Sequence, residues 1–284
     1  MNLLFIGGGN MATALIGGLL AGKSSIQRLH VIEPNTEAQE KLQSRFAATM
    51  RANGVEFSFH GAEAPASFAQ DAASSWVVLA VKPQHMKEAC AQATGPARAV
   101  LEKGLVLSIA AGVSIATIAG WLNNTRVVRG MPNTPALVSQ GVTGLCAHAS
   151  VSPQARAQAE ALMASVGRVV WVDQEPLMDA VTALSGSGPA YVFRFVEALT
   201  AAGEQLGLSH AQSMLLSVHT LKGALALLES SGEPPAVLRE KVTSKGGTTA
   251  AALASLDRDE FMQMIEKALT AARDRGAEMS REFR

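Results

Sequence analysis

Apolar residues fill positions 1–6 except Asn2, run straight into Gly7-Gly8-Gly9, and resume from Met11 to Leu20. A short apolar run, a glycine turn and a longer apolar stretch predict a strand followed by a helix. Comparable short runs recur at 28–33, 54–59, 75–81, 104–109, 126–129, 142–147 and 168–173. Several do not alternate: Trp76-Val77-Val78-Leu79-Ala80-Val81 is apolar throughout. Strands covered on both faces read this way. Stretches at 36–52, 84–97 and 153–166 are long enough for crossover helices. The pattern predicts an α/β fold, a Rossmann-type doubly wound sheet with a less regular far edge. After Asp173 strand runs disappear and the chain becomes rich in alanine and leucine. Ser187-Gly188-Pro189 reads as a helix start, and Gly207, Gly232 and Pro234-Pro235 as breaks. The expected organisation is a dinucleotide-binding domain over 1–173 and an all-helical domain over 174–284.

Charge and cysteine content narrow the function classes. The 284 residues carry 24 basic and 24 acidic side chains, for a formal charge of zero. No global field then favours nucleic acid or an anionic membrane as partner. Residues 1–22 carry no charge, which would suit a membrane span, but six glycines and Asn10 interrupt them and no basic segment precedes them. Cys90 and Cys146 are the only cysteines, and no His/Cys cluster accompanies them. The expectation is a reduced, cytoplasmic protein without a metal.

The candidate chemistry lies in the loops. Gly7-x-Gly9-x-x-Ala12 is the G-x-G-x-x-A dinucleotide pattern, placed after a strand and before a helix. Gly7 allows the turn, Gly9 leaves no Cβ between the backbone and a pyrophosphate, Ala12 lets the helix lie close, and Gly8 belongs to the same cofactor-binding turn. Asn10 and Met11 open that helix, whose first N–H groups would face a pyrophosphate. Ala80-Val81-Lys82-Pro83 and the small residues Ala110-Ala111-Gly112 also follow strands, at the side of an open sheet where ligands bind. The doubly prolined run Met131-Pro132-Asn133-Thr134-Pro135 is a fourth such loop. Glu33 ends the second strand, where an acidic residue meets the adenine ribose and favours NAD; Asn35 and Thr36 could bond a phosphate. Leu184-Ser185-Gly186-Ser187-Gly188-Pro189-Ala190-Tyr191 and Thr243-Ser244-Lys245-Gly246-Gly247-Thr248-Thr249 read as Ser/Gly/Thr turns feeding helices. Such turns suit a carboxylate or phosphate, or serve as ordinary caps. The histidines, at 30, 60, 85, 148, 210 and 219, are scattered singly and receive no catalytic role.

Taken together, in this order and spacing, these motifs make the chain resemble pyrroline-5-carboxylate reductases over nearly its whole length. The resemblance implies reduction of the cyclic imine 1-pyrroline-5-carboxylate to proline with NADP(H), NAD(H) also being usable. It implies that Ser244, Gly247 and Thr248 hold the substrate carboxylate and that the Thr249 hydroxyl, the catalytic group, faces the imine nitrogen. It places the pyrophosphate on residues 7–12, and Lys82 with Ala110, Ala111 and Gly112 around the nicotinamide half. Lys245 departs from the family's usual proline. Two other classes stay open. A β-hydroxyacid dehydrogenase would want a lysine on the interdomain helix, and residues 191–208 contain none; a non-enzymatic NAD(P)H sensor would leave the 243–249 turn without a purpose. Residues 213–229 are apolar around most of a helical circumference and predict a homodimer. The resemblance adds interlocked helical domains, in some members built into larger rings.

Overall fold

The computed structural model describes residues 1–22, 26–59 and 64–283; His60 lies outside them. All eight expected strands are present: β1 (Asn2–Ile6), β2 (Arg28–Ile32), β3 (Glu56–Ser58), β4 (Trp76–Leu79), β5 (Leu105–Ser108), β6 (Val127–Met131), β7 (Gly141–Ala147) and β8 (Gly167–Trp171). They form one sheet in the order β3-β2-β1-β4-β5-β6-β7-β8. Pairing is parallel from β3 to β6, antiparallel between β6 and β7, and parallel again to β8.

Both faces are covered, as the unbroken apolar runs require. Leu3, Phe5, Trp76, Val78, Leu105 and Leu107 point into one core. Leu4, Ile6, Val77, Leu79 and Val106 point into the other. Successive strand residues face opposite sides, so a strand in the middle of the sheet must be apolar at every position. At the far edge, β8 alternates between half-buried and exposed residues.

The 84–97 stretch differs from expectation. It splits into helices Pro83–Gln92 and Gly95–Lys103. Gly95 adopts a φ of 50° and Pro96 follows in the first turn of the second helix, so one helix cannot run through.

By contact the chain divides into one unit of residues 1–187 with 272–284 and a second of residues 188–271. The division falls later than 173/174 because the helix Leu177–Val181 belongs to the sheet's core. Its Met178 is fully buried, and Val181 lies against Gly144 of β7. The segment after it is not the expected Ser/Gly turn either. Residues Thr182–Gly186 continue the helix as a π-turn before Gly188–Gln205 begins.

The second unit is helical throughout: Gly188–Gln205, His210–Ser231, Pro235–Lys241, Thr248–Arg258 and the first turns of Phe261–Glu282. The first two of these helices meet through small residues. A Cβ on Gly203 would stand 2.6 Å from Ser213 Oγ, and Thr200, Ser213 and Ser217 are buried. The large side chains Leu215, Leu216, Leu225 and Leu227 of the same helix are exposed on the single chain. No described helix is long and apolar enough to cross a membrane.

Candidate active site

The switch in strand order between β1 and β4 opens a crevice at the carboxyl ends of the strands. The glycine turn closes it from below. Gly7 N–H donates to Ile32 O at 2.9 Å, and Ala80 N–H donates to Ile6 O at 2.8 Å. Gly7 has a φ of 99°, and a Cβ there would stand 2.8 Å from Ala80 O, so no other residue type fits. Gly9 is the opposite case: a Cβ would meet nothing within 4 Å. Its bareness leaves open space directly before the helix Asn10–Ala21, which has no side-chain cap. The first N–H groups of that helix therefore face outward, as a pyrophosphate cradle requires.

A cleft of about 780 Å³ extends from this turn. It is lined by Gly7, Gly9, Glu33, Asn35, Ala80, Val81 and Lys82, all named from the sequence. His85, Glu88 and Gln92 also line it and were missed. Their spacing after Lys82, one helical face of Pro83–Gln92, was the available signal. Gly8 and Ala12 are buried behind the turn, while Asn10 is exposed and Met11 half-buried. Pro83 opens the helix that forms the cleft wall.

Glu33 is held by the backbone. Its carboxylate accepts from Gly8 N–H at 2.8 Å and from Asn35 N–H at 2.9 Å. Asn35 Oδ1 caps the helix Thr36–Ala52 by accepting from Ala38 N–H at 3.0 Å. Its amide nitrogen is left to donate to a ligand.

Ala110, Ala111 and Gly112 follow β5, next to the β4 loop: Ile109 N–H donates to Leu79 O at 3.1 Å. Ala110 and Gly112 are buried and Ala111 half-buried. The 131–135 loop is tied into the fold by Asn133, whose Oδ1 accepts from Val142 N–H at 2.9 Å and whose Nδ2 donates to Ser185 O at 3.2 Å. Just before it, Arg129 is almost fully buried and bonds Glu175 at 3.1 Å, with Asp179 at 3.7 Å. Neither acid could be paired with Arg129 from the sequence. Burial pushes the Asp179 carboxyl above its usual range, against the pull of Arg129 and with a further push from Glu175.

The residues expected to hold substrate lie in the second unit. Ser244 O accepts from Gly247 N–H at 3.0 Å, and Gly246 between them has a φ of 73°. That is the pattern of a type II turn. It delivers the chain into Thr248–Arg258 with Gly247 as a cap that lacks a side chain. The N–H groups of Thr248, Thr249 and Ala250 belong to the first turn, which no intrahelical carbonyl satisfies. Ser244 and Thr248 are exposed, Gly247 and Thr249 half-buried. Together these groups form a set of backbone and hydroxyl donors at one helix start.

Comparison with known proteins agrees with both halves. Residues 175–279 match the family model described as pyrroline-5-carboxylate reductase dimerisation. Residues 2–112 match the model described as NADP oxidoreductase coenzyme F420-dependent. The pyrroline-5-carboxylate reductase of Pseudomonas aeruginosa is 43% identical over 282 residues, covering 99% of this chain and 97% of that one. A solved pyrroline-5-carboxylate reductase from Coxiella burnetii superposes with a TM-score of 0.85 at 37% identity, covering 98% of each chain. The Plasmodium falciparum pyrroline carboxylate reductase, solved with NADP bound, gives a TM-score of 0.77 at 27% identity, covering 99% of this chain and 98% of that one. With relatives this similar over the full length, the chain belongs to the pyrroline-5-carboxylate reductase family and is an NAD(P)H-dependent oxidoreductase acting on a C=N bond.

Proposed function

We propose that this chain reduces 1-pyrroline-5-carboxylate to L-proline, the last step of proline biosynthesis, with the two turns in separate roles. The turn over residues 7–12 holds the cofactor pyrophosphate, and Lys82 with the 110–112 loop borders its nicotinamide half. The dinucleotide, when bound, would supply a hydride to the imine carbon of the ring, the one that becomes Cδ of proline. Ser244, Gly247 and Thr248 hold the substrate carboxylate, chiefly through backbone N–H groups. Thr249 places its hydroxyl at the ring nitrogen, which ends the reaction protonated. The cyclic imine is basic enough to arrive partly protonated, so a strong general acid is not required. Orientation then carries much of the rate, since holding donor and acceptor correctly is worth up to roughly 7–11 kcal/mol.

The observation that carries this reading is the uncapped helix start after the 244–247 turn. Gly247 brings no side chain to that helix start, so the first N–H groups of the helix are left for a ligand. We place the enzyme in the cytoplasm, in keeping with two buried free cysteines, and take the dimer as the unit from which a larger ring can be built.

Absorbance loss from NADPH with and without pyrroline-5-carboxylate tests the reaction. Thr249→Val tests the role: it keeps the shape and removes the hydroxyl, and should lower kcat/KM by about 1–3 kcal/mol equivalent while leaving NADPH affinity unchanged. Near wild-type kcat/KM would remove Thr249 from the mechanism.

A further inference from the structure

The 110–112 loop is anchored from behind at two places, and one buried arginine serves both. The first anchor is Glu175. Its Oε1 accepts from Ile115 N–H at 2.7 Å, at the start of the helix Ile115–Leu122 that the loop feeds, and from Arg129 at 3.1 Å. Residues 112 and 115 are three apart, so this bond fixes where the loop ends. The second anchor is the end of the chain. Residues 272–284 pack with the sheet unit although the same helix begins in the other unit. There Gly276 is buried, with its Cβ position 3.7 Å from the Asp179 Cβ, and Asp179 lies 3.7 Å from Arg129. One turn later, the Cβ position of Gly112 stands 3.4 Å from Met279 and 3.5 Å from the Phe283 ring. Phe283 joins the core cluster that holds Ala110 and Val113.

A buried arginine with two carboxylates is costly to desolvate and weak as a source of stability. Such a group specifies geometry best where it bonds backbone, as Glu175 does. We propose that Glu175, oriented by Arg129, and Phe283 are positioning residues for the 110–112 loop, and that through it they set affinity for the nicotinamide half of the dinucleotide. This rests on the reading that the loop borders that half.

Two ligands separate the roles: NADPH, and 2′-phospho-ADP-ribose, which lacks the nicotinamide. Binding of each is measured by calorimetry to the full-length protein. Glu175→Ala and Phe283→Ala should each weaken NADPH about fivefold or more, the loss of one hydrogen bond or one packed ring. The fragment should bind all variants within about twofold, since its contacts on the glycine turn are intact. That unchanged binding also shows that the variants fold. Glu175→Gln, which keeps an acceptor for Ile115 N–H, should recover most of the NADPH affinity. NADPH and fragment weakening in parallel, or neither changing, overturns the proposal. Ala111→Leu checks the underlying reading. If it too leaves NADPH unaffected, the loop does not border the nicotinamide; if it alone weakens NADPH, the loop does and the buttress is wrong.

Discussion

Glu33 presents a carboxylate already fixed by two backbone N–H groups in the cleft beside the glycine turn. A fixed anion there bonds ribose hydroxyls and repels a 2′-phosphate. Glu33→Ala is therefore expected to shift the ratio of kcat/KM values toward NADPH over NADH; an unchanged ratio would mean that the carboxylate does not face the ribose. Asp179 offers a second measurement at this scale. Its carboxyl is raised in the folded protein, chiefly by burial. A raised acid contributes stability below its unfolded value of about 3.9, and that contribution is lost as pH rises through the folded value. Asp179→Asn removes the titration. Its melting temperature should thus improve relative to wild type as pH is raised from about 4 to 7, and a difference independent of pH would contradict the assignment. Cys90 is also shifted, to about 11, by burial, which keeps its thiol protonated and unreactive at neutral pH.

At the scale of elements, turn chemistry explains where helices begin and what they present. The 244–247 turn puts Lys245 at the second position of a type II turn, where proline's fixed φ is favoured. The family's usual proline thus has a physical reason, and the lysine gives the unfolded chain more freedom to lose. Lys245→Pro should stabilise the protein by about 0.4–1 kcal/mol in denaturant unfolding without loss of turnover. Destabilisation would show that Lys245 does not have a proline-compatible backbone. The π-turn Thr182–Gly186 runs into the start of the segment 184–191, which the sequence predicts to be a Ser/Gly turn feeding a helix. Serine and glycine are poor helix formers, so local preference pointed to a turn. Bonds from outside hold it: Asn133 donates to Ser185 O, and Met131 packs where a Gly186 Cβ would be.

At the scale of the molecule, the helix His210–Ser231 packs inward through serines and exposes its leucines. Leu215 is 61% exposed and Leu225 58% on the single chain, too much apolar surface for one chain to leave in water. The region matches the family's dimerisation model, and a two-fold partner covers such a face with a copy of itself. Light scattering after size exclusion should find no active species at the one-chain mass of 29.6 kDa. Leu215→Lys with Leu216→Lys should dissociate the dimer and abolish activity together, and an active monomer would separate the two.

The strands, the glycine turn and the principal helices were legible because their signals are local. An apolar run of five residues or a glycine that must turn declares itself to its neighbours in the chain. The family motifs at Gly7, Ser187 and Ser244 were legible for the same reason. Tertiary structure alone decided the rest. It placed His85, Glu88 and Gln92 on the cleft wall, joined Arg129 to Glu175 and Asp179, and returned the end of the last helix, from residue 272, to the first unit. It also chose the serine side of His210–Ser231 for the interior, since a helix apolar nearly all round does not say which face its own chain will cover. These are contacts between residues far apart in sequence, and they depend on the path of the chain rather than on any local preference.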